Sequence, residues 1–204
     1  MPQQPLLVGR TALLVIDIQK GAFMDGADNG IPHMPGYRDN MVTACGVIEA
    51  ARAADIPVIF FQEAHRPDMI DFGRELDGSE GVHCVEGRLA TEIADETGFT
   101  PADYFIRKRR YSCFFGTDLE ILLKGLKAET LVLIGGMTDV CVHYTFVDGH
   151  QHDYYCRVVA DAVGGTSPAA HTASLNAMEY LQTGAVRQSA EIMKAFAAHR
   201  AEAA

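Results

Sequence analysis

The sequence predicts an α/β fold, doubly wound, with a mainly parallel sheet and helices on both faces. Short apolar runs rich in Val, Ile, Leu and Phe recur along the 204 residues, as strands buried on both faces require. Longer stretches with apolar residues at helical intervals separate them. A right-handed crossover packs each such helix back on the sheet, so strand and helix in alternation imply this architecture.

The first strand is "TALLVID" (11–17), an apolar run that stops at Asp17. A helical stretch, 40–55, leads to "PVIFFQE" (57–63). Residues 62–100 then show no sustained period and are rich in Gly, Asp and Glu, which predicts a long excursion of the lid or binding-loop kind. "DYFIRK" (103–108) is the third strand, 117–126 a helix, and "TLVLIGG" (130–136) the fourth strand. A helix over 140–153 and the strand "CRVVADA" (156–162) follow. The helix over 167–184 opens on Ser167-Pro168, an N-cap with proline at the first helical position. A short strand "AVRQSAEIM" and a terminal helix close a single domain spanning 1–204.

Composition narrows the function. A formal charge of -10 argues against nucleic acid as a partner, which needs clustered Lys and Arg. The N-terminal apolar run is too short for a membrane span and lacks a signal peptide's pattern, so the expectation is a cytoplasmic protein without membrane contact. Five cysteines without C-x-x-C spacing disfavour a disulfide framework or a zinc cage, and no phosphate-binding glycine loop occurs.

Ligands of doubly wound sheets bind beyond the carboxyl ends of the strands. That rule selects Asp17, Glu63 with His65, Lys108, the turn "GGMTDVC" and Asp161. Cys141, at a helix start, is either a small buried hydrophobe or a nucleophile whose thiolate the helix dipole favours. An acid, a cation and a thiol converging from three strand ends form the layout that covalent catalysis needs.

Three ordered motifs then resemble one family. "ALLVIDIQKGAF", "KRRYSCFFGTDLEILLKG" and "LIGGMTDVCV" are similar to segments of the isochorismatase-like cysteine hydrolases, a superfamily that includes nicotinamidase, N-carbamoylsarcosine amidohydrolase, biuret hydrolase and ureidoacrylate amidohydrolase. The resemblance implies a three-layer sandwich, a triad of Asp17, Lys108 and Cys141, a cis Gly136-Met137 peptide, and an oxyanion hole from the N–H groups of Met137 and Cys141. It implies a cysteine-dependent amidohydrolase that cleaves the C–N bond of a small linear amide or carbamoyl compound through a thioester. The alternatives are a metal-assisted, nicotinamidase-like amidase and a non-catalytic binding subunit.

Around the triad, Phe23, His65, Arg66, Tyr111, Phe115 and Tyr144 are expected to line the substrate pocket, although aromatics in such segments also serve as core. Arg109 or Arg110 could grip a substrate carboxylate. Gln19 is expected to support Asp17 or the lysine, and Thr138 and Asp139 to brace the turn. Glu63, His65, Asp71 and His83 preserve ligand types of the nicotinamidase metal site, but Glu replaces its Asp and the spacing differs, so the expectation is no metal and no cofactor. The resemblance also implies a homo-oligomer, dimer or tetramer.

Overall fold

The computed structural model of the chain describes residues 5–24 and 30–203, with side chains to residue 199. Six parallel strands form one sheet: β1 (Arg10–Ile16), β2 (Val58–Glu63), β3 (Tyr104–Lys108), β4 (Ala128–Gly136), β5 (Tyr155–Gly164) and β6 (Val186–Arg187), in the order β3-β2-β1-β4-β5-β6. Strand order reverses between β1 and β4, so a crevice opens beyond their carboxyl ends.

Side-chain alternation divides the core. Leu13, Val15, Phe60, Val132 and Ile134 face α1 (Tyr37–Ala53) and α5 (Ser189–Ala203), while Ala12, Leu14, Ile16, Phe61, Leu131 and Leu133 face α2 (Leu119–Leu126), α3 (His143–Gln151) and α4 (Pro168–Leu181). The central strands β1, β2 and β4 are thus buried on both sides, which is why their sequences read as nearly unbroken apolar runs. Among the described residues no helix is long and apolar enough to cross a membrane.

Two expectations change. The last strand ends at Arg187 and a helix takes over at Ser189. Its start is capped on both sides: Glu191 accepts from the Gln188 N–H at 3.0 Å, and Asp161 accepts from Ser189 N and Oγ at 2.8 and 2.6 Å. Asp161 is therefore a cap for α5 and not a site residue. The β2-to-β3 crossover carries no α-helix, only three 3-10 turns (Glu75–Asp77, Leu89–Thr91, Asp95–Thr97), and isolated bridges Gln19–Ile93 and His65–Val85 tie it to the carboxyl edge of the sheet.

The paired glycines that end β4 make room for neighbours as well as for a turn. Gly135 has φ +112°, and a Cβ on it would lie 2.0 Å from the Ile16 carbonyl oxygen. A Cβ on Gly136 would meet the Tyr37 hydroxyl at 2.1 Å. Gly135→Ala is expected to destabilise the protein by about 3 kcal/mol or more in urea unfolding, because backbone strain and overpacking combine. Gly46→Ala, mid-helix with nothing near the added methyl, should instead stabilise by about 0.5–1 kcal/mol.

Candidate active site

β1, β2, β3 and β4 each deliver one polar group to the crevice. Asp17 follows β1 in a left-handed conformation (φ 52°), tolerable for Asp, and its Oδ1 accepts from the Glu63 N–H at 2.8 Å. Glu63 and Lys108 end neighbouring strands in register with one another. The turn after β4 begins with the cis Gly136–Met137 peptide and continues as a π-helical turn, Thr138–Val142, in which the Val142 N–H donates to the Met137 carbonyl. That turn runs directly into α3 and carries Cys141.

The groups meet at Lys108, which is fully buried. Its Nζ lies 2.7 Å from Asp17 Oδ2, 2.6 Å from Glu63 Oε2 and 3.5 Å from Cys141 Sγ, and donates to the Arg110 carbonyl at 3.1 Å. Cys141 Sγ is 3.3 Å from Glu63 Oε2, and the Asp17, Glu63 and Cys141 donor atoms all fall within 4.8 Å of one another. Asp17, Lys108 and Cys141, the three side chains that the sequence singles out, therefore lie together in space, with Glu63 beside them.

Burial sets the protonation states. It opposes the charge on Lys108, but Asp17, Cys141 and Glu63 overcome it and hold the ammonium well above its usual pKa. Burial pushes Asp17 up to about 6 even though Lys108 pulls it down. Glu63 is also raised by burial, yet Lys108, His65 and His83 hold it well below the carboxylate range. Burial lifts the Cys141 thiol well above its usual value, against the pull of Lys108 and with Glu63 and Asp17 adding to the rise. A thiolate favoured by the helix start alone is not what this site holds: the resting group is a thiol.

Glu63 turns its other oxygen to a second cluster. Oε1 lies 3.4 Å from His65 Nε2 and 3.2 Å from His83 Nε2, and Glu75 Oε2 lies 3.0 Å from His65 Nε2. Burial works against the charge on His65, but Glu63 and Glu75 overcome it and raise its pKa to about 9. One donor atom from each of Glu63, His65, Glu75 and His83 lies within 4.8 Å of the others, all four side chains are buried, and Glu75 Oε1 takes no hydrogen bond. Two imidazoles and two carboxylates suit a divalent transition metal, so these residues fit one. Asp71, expected in this set, sits at its rim, 3.6 Å from His65 Nδ1.

Beside the thiol is a cavity of about 50 Å³, lined among others by Asp17, Glu63, Glu80, Tyr111, Met137 and Cys141. Of the residues expected to line the pocket, Tyr111 does so. His65 is buried behind the cavity; Arg66 is exposed and paired with Asp68; Phe23 packs against the core. Phe115 and Tyr144 line a separate groove on the other side of Tyr111. Gln19 does not reach Asp17 or Lys108 directly; its side chain bonds the Glu63 N–H and carbonyl and the Thr91 carbonyl. Asp139 braces the turn through Thr166 N and Oγ1, and Thr138 through His171. Sequence reasoning missed Glu75 and Glu80, which lie in the aperiodic excursion, and the bond of Glu63 to Lys108, for which strand-end register was the available signal.

Removing the cation should expose how much the site depends on it. Lys108→Met is expected to cost about 3–5 kcal/mol in urea unfolding, since it strands two buried carboxylates; a loss below about 1 kcal/mol would contradict the geometry described.

An isochorismatase domain model matches residues 11–191. The ureidoacrylate amidohydrolase RutB of Pseudomonas syringae pv. syringae is 32% identical over 181 residues, covering 78% of this chain and 73% of that one. An isochorismatase-like hydrolase from Alkaliphilus metalliredigens has a similar structure, with a TM-score of 0.81 and 27% identity over 92% of this chain and 100% of that one. N-carbamoylsarcosine amidase from Thermoplasma acidophilum gives a TM-score of 0.73 and 29% identity over 89% and 97%. With the domain model spanning nearly all of the sheet and its helices, the chain belongs to the isochorismatase-like hydrolase superfamily.

Proposed function

We propose that the protein is a cysteine amidohydrolase that cleaves the C–N bond of a small linear amide or carbamoyl compound, with Cys141 as nucleophile, Asp17 as general base and acid, and Lys108 as the cation between them. The observation that carries this reading is the meeting of Cys141 Sγ, Lys108 Nζ and the Asp17 carboxylate, with Asp17 and Cys141 on the wall of a small cavity. At about 10–15 Å³ per water position, 50 Å³ is the room of about four waters, enough for a carbamoyl head group.

Two carboxylates lie near the thiol, and their basicity separates them. Glu63 is held too acidic to accept a proton readily, whereas Asp17 at about 6 is ionised near neutrality and basic enough to serve. Asp17 takes the Cys141 proton as sulfur attacks the carbonyl carbon, and the ammonium of Lys108 offsets the charge gathering beside it. The Met137 and Cys141 N–H groups receive the oxyanion. The C–N bond then breaks, Asp17 returns the proton to the departing ammonia or amine, and a thioester remains. Water deprotonated by Asp17 adds to the thioester, the C–S bond breaks, and the thiol is restored. The amidase names borne by relatives support this chemistry.

The buried cluster supports a second reading, a metal-assisted amidase. Glu63, His65, Glu75 and His83 would hold the ion, which when bound would supply a Lewis acid at the cavity wall. Elemental analysis of the purified protein separates the readings: stoichiometric zinc, iron or manganese favours the second.

Ammonia release from ureido acids, carbamoylated amino acids, biuret, maleamate and nicotinamide tests the first. Activity on a linear member should vanish in Cys141→Ala, and retention of most of it would overturn the assignment. Asp17→Asn should lose about 10²–10⁴-fold. Because Asp17 must be ionised to act, kcat/KM should fall about tenfold per unit as pH drops below about 6, and a profile flat through that range would exclude Asp17 as the base.

A further inference from the structure

Resting on the amidase reading, we propose that the cavity selects amides whose non-reacting end is uncharged or positively charged and rejects those ending in a carboxylate, with Glu80 as the residue that receives that end.

The charges around the cavity carry this. Among the described residues three carboxylates line it, Asp17, Glu63 and Glu80. The cations near it are committed elsewhere. Lys108 has three ammonium hydrogens, and Asp17, Glu63 and the Arg110 carbonyl occupy three close acceptor positions around it. His83 lines the cavity, but its Nδ1 donates to the Gly81 carbonyl at 2.7 Å and its Nε2 faces Glu63. His33 is stacked on Tyr37 at 4.0 Å, and burial lowers its pKa.

The arginines that could grip a carboxylate point away. Arg109 reaches the Ala64 carbonyl, Asp71 and Glu86, and Arg110 bonds the Asp71 and Arg109 carbonyls in the neighbouring groove. Among the described residues no guanidinium lines the cavity. A ligand carboxylate would meet Asp17, Glu63 and Glu80, while the cations beside them, Lys108 and His83, already have their partners.

Glu80 is built to receive a donor. Tyr111 donates its hydroxyl to Glu80 Oε2 at 2.8 Å, which fixes the carboxylate, while Oε1 takes no hydrogen bond from a described residue. Burial raises the Glu80 pKa, the setting in which an arriving N–H or ammonium stabilises the ionised form most. The curated relatives act, by name, on ureidoacrylate, itself a carboxylate; this cavity points to a different end group.

Three ureas of matched length test this: propylurea, 3-aminopropylurea and N-carbamoyl-β-alanine. Binding is measured by calorimetry on the full chain carrying Cys141→Ala, and hydrolysis on the wild type. The neutral and cationic ureas should bind at least about tenfold more tightly than the anionic one, and Glu80→Gln should shrink the cation-over-anion ratio by about fivefold or more. Equal or tighter binding of the carboxylate, no binding of any of the three, or a ratio untouched by Glu80→Gln would overturn the proposal. Should Glu80→Gln fail to fold, the ratio in the Cys141→Ala chain decides alone. If the expected binding order holds and the wild type hydrolyses neither these ureas nor any amide of the panel above, the amidase reading fails and the selectivity stands. Hydrolysis that favours the carbamoyl acid sinks the selectivity and leaves the amidase reading intact.

Discussion

An ammonium group stripped of water and set among strand ends must find its compensation within a few ångströms, and Lys108 finds it by drawing four strands together. Asp17 comes from the end of β1, Glu63 from β2, the lysine itself from β3 and the thiol from the turn after β4. Two carboxylates around one cation would leave an excess of negative charge in a dry place. Glu63 relieves it by turning its second oxygen to His65 and His83, so compensation extends across the cluster into the excursion between β2 and β3. The aperiodic stretch is thereby fastened to the sheet edge by charge where no helix fastens it by packing.

The same arrangement explains why the thiol rests protonated. Burial disfavours a thiolate more than one lysine favours it, and both carboxylates add to the penalty. On the amidase reading proposed above, the reactive form exists only while a substrate carbonyl is present to take the charge onward; a buried thiol is in any case less open than a free thiolate to oxidants.

Much of this was legible in the sequence. Asp17, Lys108 and Cys141 each terminate or follow an apolar run, and a charge or thiol at such a place needs an open sheet end to be affordable. The strand–helix alternation and the N-cap at Ser167, whose Oγ accepts from the Ala170 N–H at 3.2 Å, were equally plain. What escaped depended on path or register. Glu75 and Glu80 lie in a segment without period, and only the folded crossover brings them to the site. The glycines at 135 and 136 read as a turn, whereas the groups they accommodate, the Ile16 carbonyl and the Tyr37 ring, are distant in sequence. Ser189 and Glu191 looked like the continuation of a strand until their capping bonds ended it.

The pairing of β1 with β4 has a consequence for how the chain is made. β1 sits in the middle of the finished sheet, but its partner on one side is residues 128–136, which leave the ribosome long after it. At about 5–20 residues per second the wait is on the order of 10 s. In the last part of that interval, once β3 and Lys108 are made, β1 is a bare edge of the three strands present, apolar on both faces, with the thiol still to come. The nascent chain is then most open to mispairing with a neighbour, and a pause in translation near the end of β3 would lengthen that exposure.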